Sequence, residues 1–271
     1  MSDRVALITG ATSGVGRVVA ERLGRQGWQV LVHGRDRARA EQVVSAIQGS
    51  GGAARFQEAD LSSMRGVRQL AEDVMKEHPS LQLLINNAGV GFGRPGAQRE
   101  RSQDGFELRF AVNYLAPFLL THRLIPALLA GAPSRVVNVA SIGQQELDFD
   151  NLQMTHGYSG VDAYRRSKLA LIMFTFDLAA ELQKLDVTIN ALHPATFMDT
   201  FMVHEAGGKP MSTVDEGADA IMHLAVDDLQ GRTGEYFDQQ RPARALRQAY
   251  DPKVRERLRQ ITNELTRRES G

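Results

Sequence analysis

A tyrosine at 164 and a lysine at 168 stand four residues apart in "VDAYRRSKLALIMF", residues 161 to 174, a stretch that reads as a helix. Positions i and i+4 share a helix face, so phenol and amine would lie side by side. A phenol with its ordinary pKa of about 10 is a poor acid at neutral pH. Positive charge nearby favours phenolate and brings the group toward neutrality, where it can exchange a proton with a reacting oxygen. Of the five tyrosines, at 114, 158, 164, 236 and 250, only Tyr164 has a lysine four residues on.

A second chemical feature lies near the start. "TGATSGVGR" carries Gly10, Gly14 and Gly16 between an apolar run and a helical pattern that extends to about Gln26, with Ser13 and Val15 in the same loop. Glycines there let the backbone turn sharply and approach a pyrophosphate seated at the helix N-terminus. The spacing is Gly-x3-Gly-x-Gly, neither GxGxxG nor GxxxxGK[ST], which disfavours a nucleotide triphosphatase. The second strand ends "LVHGRD", placing Arg35 where NAD sites carry an acid that accepts from the ribose hydroxyls. A forked guanidinium suits a 2′-phosphate better, so NADP(H) is predicted over NAD(H). Asp36, one residue on, keeps the NAD alternative open.

These groups need elements to hold them. Seven β-branched runs, "RVALIT", "WQVLVHG", "AARFQEAD", "LQLLINN", "SRVVNVAS", "DVTINALH" and "GEYF", alternate with segments of helix length. Repeated βαβ units of this kind predict an α/β fold, a single doubly wound Rossmann domain over 1–271, with a seven-stranded parallel sheet covered by helices on both faces. "HEAGGKPMST" reads as a loop within a substrate segment of about 195–213, because loops at the carboxyl ends of parallel strands line the ligand crevice. A C-terminal helix is predicted at about 251–268, with Asp251 and Pro252 suited to its start.

Composition narrows the partners. Lys plus Arg and Asp plus Glu each number 32, which removes a global attraction to nucleic acid or an acidic membrane. The absence of cysteine excludes disulfides, thiolate metal sites and a cysteine nucleophile, and the seven histidines show no metalloprotease spacing, so no metal is expected. The opening apolar run, Val5 to Ile8, is too short for a signal peptide or a membrane span. A cytoplasmic protein acting on a small molecule is expected.

Taken together the motifs resemble the short-chain dehydrogenase/reductase family from Val5 to about Asp238. The resemblance is carried by "TGATSGVG" at 9 to 16, "ADL" at 59 to 61, "NNAG" at 86 to 89, Asn113 in "FAVNYLAPF", Ser141 in "VVNVAS", "YRRSK" at 164 to 168 and Pro194 in "ALHPA", in the family's order. It implies that Ser141 orients the substrate oxygen for Tyr164, and that Asn113 holds a water relaying protons to Lys168. It further implies that Asp60 and Leu61 contact the adenine, that Asn87, Ala88 and Gly89 close the nucleotide cleft, and that Tyr164, Lys168 and Pro194 line the cofactor.

The chain departs from the family where Pro194-Ala195 replaces the common Pro-Gly, and neither Thr196 nor Thr200 aligns cleanly with the usual threonine beyond it. Ser141 and Tyr164 are 23 residues apart, more than is common. That insert, with "GRD" after the second strand, is similar to the retinol-dehydrogenase-like and protochlorophyllide-reductase-like branch. The expected activity is hydride transfer between NADP(H) and a ketone, aldehyde or secondary alcohol. Residues 142–160 with Phe197, Met198, Phe201 and Met202 offer apolar surface for a hydrophobic or aromatic substrate. A C=C or imine reductase, and a weakly catalytic NADP-sensing protein, are the alternatives. The apolar circumference of the helix carrying Tyr164 suggests burial on the sheet or a homo-oligomer.

Overall fold

The computed structural model describes residues 4–267. Eight strands form one sheet in the order β3-β2-β1-β4-β5-β6-β7-β8. They are β1 (Val5–Ile8), β2 (Gln29–Gly34), β3 (Ala53–Glu58), β4 (Leu83–Asn86), β5 (Ser134–Val139), β6 (Val187–His193), β7 (Tyr236–Asp238) and β8 (Arg241–Ala243). The first seven are parallel and match the seven sequence runs, while β8 pairs antiparallel with β7. The seven-stranded all-parallel expectation is therefore corrected by one strand. "RPA" is only three residues long and contains a proline, so it carries no period-2 signal; it sits at the sheet edge, where a proline is tolerated.

The helices are α1 (Gly14–Arg25), α2 (Arg37–Gly49), α3 (Met64–Glu77), α4 (Leu108–Phe110), α5 (Ala116–Ala130), α6 (Gly160–Glu181), α7 (Phe201–Glu205), α8 (Val214–Val226) and α9 (Pro252–Arg267). Strand alternation divides the core into two layers. Val5 and Leu7 face the layer formed with α3, α5, α6 and α9, whereas Ala6 and Ile8 face α1, α2 and α8. Helix starts follow from capping side chains: Asp36 accepts from Arg39 N, Ser63 from Gly66 N, Ser159 from Asp162 N, and Thr213 with Glu216 completes a capping box.

Asp251 accepts from Lys253 N at 2.9 Å at the start of α9, as its sequence position suggests; residue 268 of the expected helix lies outside the described residues. The 195–213 segment contains α7 and a bridge between Met198 and Ser212. No described helix is long and apolar enough to cross a membrane.

Strand order reverses between β1 and β4, the neighbours that run off to opposite halves of the sheet. At such a switch point the loops beyond the carboxyl ends diverge and leave a crevice. The β1–α1 glycine loop, the β4–α4 loop and the β5–α6 insert all open there.

Candidate active site

Gly10 and Gly14 take positive φ, +65° and +52°, in the turn out of β1. A Cβ on Gly10 would stand 2.8 Å from Ala88 Cα, and one on Gly16 only 2.4 Å from both Gly10 O and Asn87 Nδ2. The loop is thus pressed against residues 87–88, with Asn87 Nδ2 donating to Thr9 O (2.9 Å) and Gly10 O (3.1 Å). Thr9 Oγ1 accepts from the backbone N–H groups of both Asn87 and Ala88. Ser13 is exposed at the N-terminus of α1 and its hydroxyl makes no capping bond, while Val15 is buried in the α1 layer. Backbone donors at a helix start and a side-chain-free approach fit a pyrophosphate.

His33 was not foreseen. Its Nδ1 accepts from Gly10 N at 3.1 Å, which leaves Nε2 to donate to Ala59 O at 3.2 Å. One imidazole thereby ties the glycine loop to the end of β3, and burial, reinforced by the Arg35 charge, drops its pKa to about 4 despite the opposing Ala59 bond and Asp60 charge. Its signal was faint: alternation in "LVHG" puts it inside the sheet without saying what it meets. Arg35 is exposed beyond β2, and its charge helps to hold the Asp60 carboxyl low, together with hydrogen bonds from Ser62 and Gln103 that outweigh burial. Asp36 is committed elsewhere, capping α2 and pairing with Arg39 at 3.2 Å. Leu61 packs its side chain into the core, and Pro194 is buried at the end of β6.

Four residues expected to act together do converge. Tyr164 and Lys168 lie one turn apart on α6, both buried, with Lys168 Nζ 5.6 Å from the phenol ring centroid. Ser141, two residues past β5, accepts from Gly143 N at 3.0 Å, and its side chain lies near enough to Tyr164 to act on the phenol's proton. A Cβ on Gly89 would lie 3.6 Å from Lys168 Nζ and 3.4 Å from Asn113 Oδ1, so the amine and the amide face one gap. Phe92, also unforeseen, sets its ring edge-on against Tyr164 at 4.6 Å between centroids.

Asn113 lies in a π-helical turn, Ala111–Leu115, rather than in regular helix. Such a turn inserts one residue and re-aims a side chain. Here Nδ2 donates to Val90 O and Ser167 Oγ, both at 3.0 Å, and Oδ1 accepts from Val90 N at 2.7 Å. The amide therefore clamps the β4 loop onto α6.

The expected electrostatics need correction. Burial pushes the Tyr164 phenol up, and the nearby Ser141 side chain is the influence that opposes it. The Lys168 ammonium does not offset this. It is itself shut from water, which brings its pKa down to about 8, and it donates to Val139 O at 2.7 Å. Charging either group in a dry site costs more than its neighbour returns.

The segment after β6 crosses the crevice. Thr200 Cγ2 would stand 3.4 Å from a Cβ on Gly14, and Met202 Cγ 2.3 Å from one on Gly91. Of the two candidate threonines, Thr200 reaches the glycine loop, whereas Thr196 hydrogen-bonds His193 Nε2 at 3.0 Å. Phe201 and Met211 leave their side chains largely in solvent, 78% and 71% exposed, on the outer rim.

A buried ion cluster backs the β4 loop. Arg109, 1% exposed, donates to Gly91 O (2.7 Å) and Tyr158 OH (2.8 Å) and pairs with Glu100 and Glu107 at 3.3 and 3.5 Å. Tyr158 in turn donates to Glu107 at 3.1 Å, joining the insert to the loop that carries Phe92.

Comparison with known proteins agrees with this geometry. The short chain dehydrogenase family model matches residues 4–210. Retinol dehydrogenase 14 of Mus musculus is 37% identical, with the match covering 97% of this chain and 85% of the relative. Retinol dehydrogenase 13 of Homo sapiens is 33% identical, over 94% and 82% respectively. Among solved structures, a metagenomic short-chain oxidoreductase in complex with NADP superposes with a TM-score of 0.66 at 27% identity, covering 88% of this chain and 96% of that one. The yciK oxidoreductase of E. coli does so at 0.70 and 29%, covering 89% and 96%. With its switch-point crevice, glycine loop and Ser/Tyr/Lys cluster matched across most of its length, the chain belongs to the short chain dehydrogenase family of oxidoreductases.

Proposed function

We propose that the protein is an NADP(H)-dependent oxidoreductase acting on a ketone, aldehyde or secondary alcohol of hydrophobic or aromatic character. One observation carries this reading: Tyr164 and Lys168 lie buried one helical turn apart on α6, with Lys168 Nζ 5.6 Å from the phenol ring centroid and Ser141, just past β5, near enough to the phenol to favour its ionised form. A nicotinamide bound in this crevice supplies or accepts the hydride. Tyr164 exchanges the proton with the substrate oxygen, Ser141 orients that oxygen, and Lys168 adds positive charge beside the phenol. The phenol carries its proton at neutral pH, and burial raises its pKa further, so the resting protein holds the proton that carbonyl reduction delivers to the substrate oxygen.

Cofactor choice follows from the end of β2. Asp36 is occupied by its helix cap and by Arg39, which leaves Arg35 as the group for a 2′-phosphate. The NADP held by one structural neighbour, and the alcohol substrates named for the retinol dehydrogenase relatives, support the same choice of cofactor and reaction. Phe197, Phe201 and Met211 form an apolar rim suited to a lipophilic substrate.

The test is oxidation of NADPH and of NADH against a panel of ketones, aldehydes and enones, with alcohols in the reverse direction. Ketone or aldehyde reduction with NADPH preferred, and an Arg35→Asp variant that loses that preference, is the expected result. Turnover of enones alone, or equal use of NADH before and after Arg35→Asp, would contradict it.

A further inference from the structure

Ser141 is held from behind by Gln144 and by Tyr236, the latter beyond the segment matched by the family model. Its carbonyl accepts two hydrogen bonds, from the Tyr236 hydroxyl and from Gln144 Nε2, both at 3.1 Å. The Gln144 Oε1 in turn accepts from Leu246 N at 2.7 Å. Three residues on, Leu147 exchanges two bonds with Gln248, from its N–H at 2.6 Å and to its carbonyl at 3.1 Å. Next, the Arg257 guanidinium lies 4.6 Å over the Phe149 ring and 3.6 Å from Asp150. Positions 141 to 150 therefore meet positions 236 to 257 in register order, and the first contact of the series is on the serine's own peptide group.

A carbonyl with both acceptor directions filled by side chains from different elements cannot rotate without breaking buried bonds. The Tyr236 ring is packed in the core whether or not it carries a hydroxyl, so the hydroxyl has a separable role. Burial and the Asp238 charge keep that hydroxyl protonated, hence a donor, across the ordinary pH range. The Ser141 Oγ, meanwhile, accepts from Gly143 N at 3.0 Å on the side of Tyr164.

We propose that Tyr236 and Gln144 are positioning residues that fix the Ser141 peptide so that its hydroxyl is aimed at Tyr164 and the substrate oxygen. The C-terminal arm, 236–257, is then part of the catalytic apparatus rather than a cover for the sheet edge. This rests on the role given to Ser141 under the proposed function.

The experiment is a double-mutant cycle. Tyr236→Phe and Gln144→Met are each made in wild type and in Ser141→Ala, and kcat, KM for a ketone or aldehyde identified as a substrate, and NADPH affinity are measured. In the wild-type background each variant should lower kcat about five- to tenfold, the rate equivalent of one net hydrogen bond, with NADPH affinity unchanged. In the Ser141→Ala background neither should lower kcat further, because the group they position is gone. Losses that multiply equally in both backgrounds would assign a merely structural role and overturn the proposal. So would wild-type kcat in Tyr236→Phe while Ser141→Ala is impaired. Full activity in Ser141→Ala would instead bring down the underlying reading, and the proposal with it.

Discussion

Tyr164 and Lys168 are both enclosed, and enclosure moves their protons in opposite senses: the phenol keeps its proton more firmly, and the amine releases its own near pH 8. His33 obeys the same physics with a measurable consequence. Its pKa falls from 6.5 in the open chain to about 4 when folded, so the unfolded chain binds the extra proton first as pH drops. The stability that the neutral ring contributes is therefore complete above about pH 6.5 and is lost as pH falls toward 4, by about 3 kcal/mol. Denaturant melts of wild type and His33→Asn should show the variant less stable at pH 7 but losing less between pH 6.5 and 4; equal slopes would contradict this. The histidines at 78, 122 and 193 are shifted the same way but are common to both proteins. Tyr164 and Lys168 were legible because helical spacing and the family motif both mark them, and Ser141 and Asn113 because the family motif does. His33, Phe92 and Tyr236 were not, because each acts through a partner 23 to 95 positions away, which local pattern does not encode.

The element that most constrains the cofactor crevice is the β1–α1 turn, where three glycines let two loops and a helix end meet without side chains. Replacing Gly16 by Ala inserts a methyl against Gly10 O and Asn87 Nδ2, and the first of these is backbone that cannot swing aside. Gly16→Ala should weaken NADPH binding at least tenfold and cost about 1 to 3 kcal/mol of stability, by fluorescence titration and thermal melts. Unchanged affinity would mean that the turn is not the phosphate seat. The seven parallel strands and α6 were readable from their sequence runs. The π-helical turn at Ala111–Leu115 was not, since "FAVNYLAPF" has an unbroken helical pattern and the extra residue is set by Asn113 bonding to Val90. The short strand β8, ordered by its pairing with β7, and the irregular insert after Ser141, ordered by long-range bonds through Gln144 and Gln248, were equally silent.

Across the whole molecule the sheet brings its switch point, the crossing segment from Met198 to Met202 and the C-terminal arm to one end. The helix α9 explains the apolar girth of α6 within a single chain: Tyr114 shares a hydrogen bond with Thr262 at 2.7 Å, and Arg255 and Arg259 pair with Asp177 and Glu181 on α6 at 2.6 and 3.1 Å. The buried Arg109 cluster seals the opposite wall, joining the insert to the loop beneath Phe92. All of this converges on one phenol kept dry beside a serine hydroxyl. The most direct test of its role is a single-turnover reduction with pre-bound NADPH in wild type and Tyr164→Phe. The account predicts a loss of about a hundredfold or more in the rate of cofactor oxidation, the usual contribution of a positioned acid, with NADPH affinity retained. Cofactor oxidation at the wild-type rate in the bound variant would contradict it.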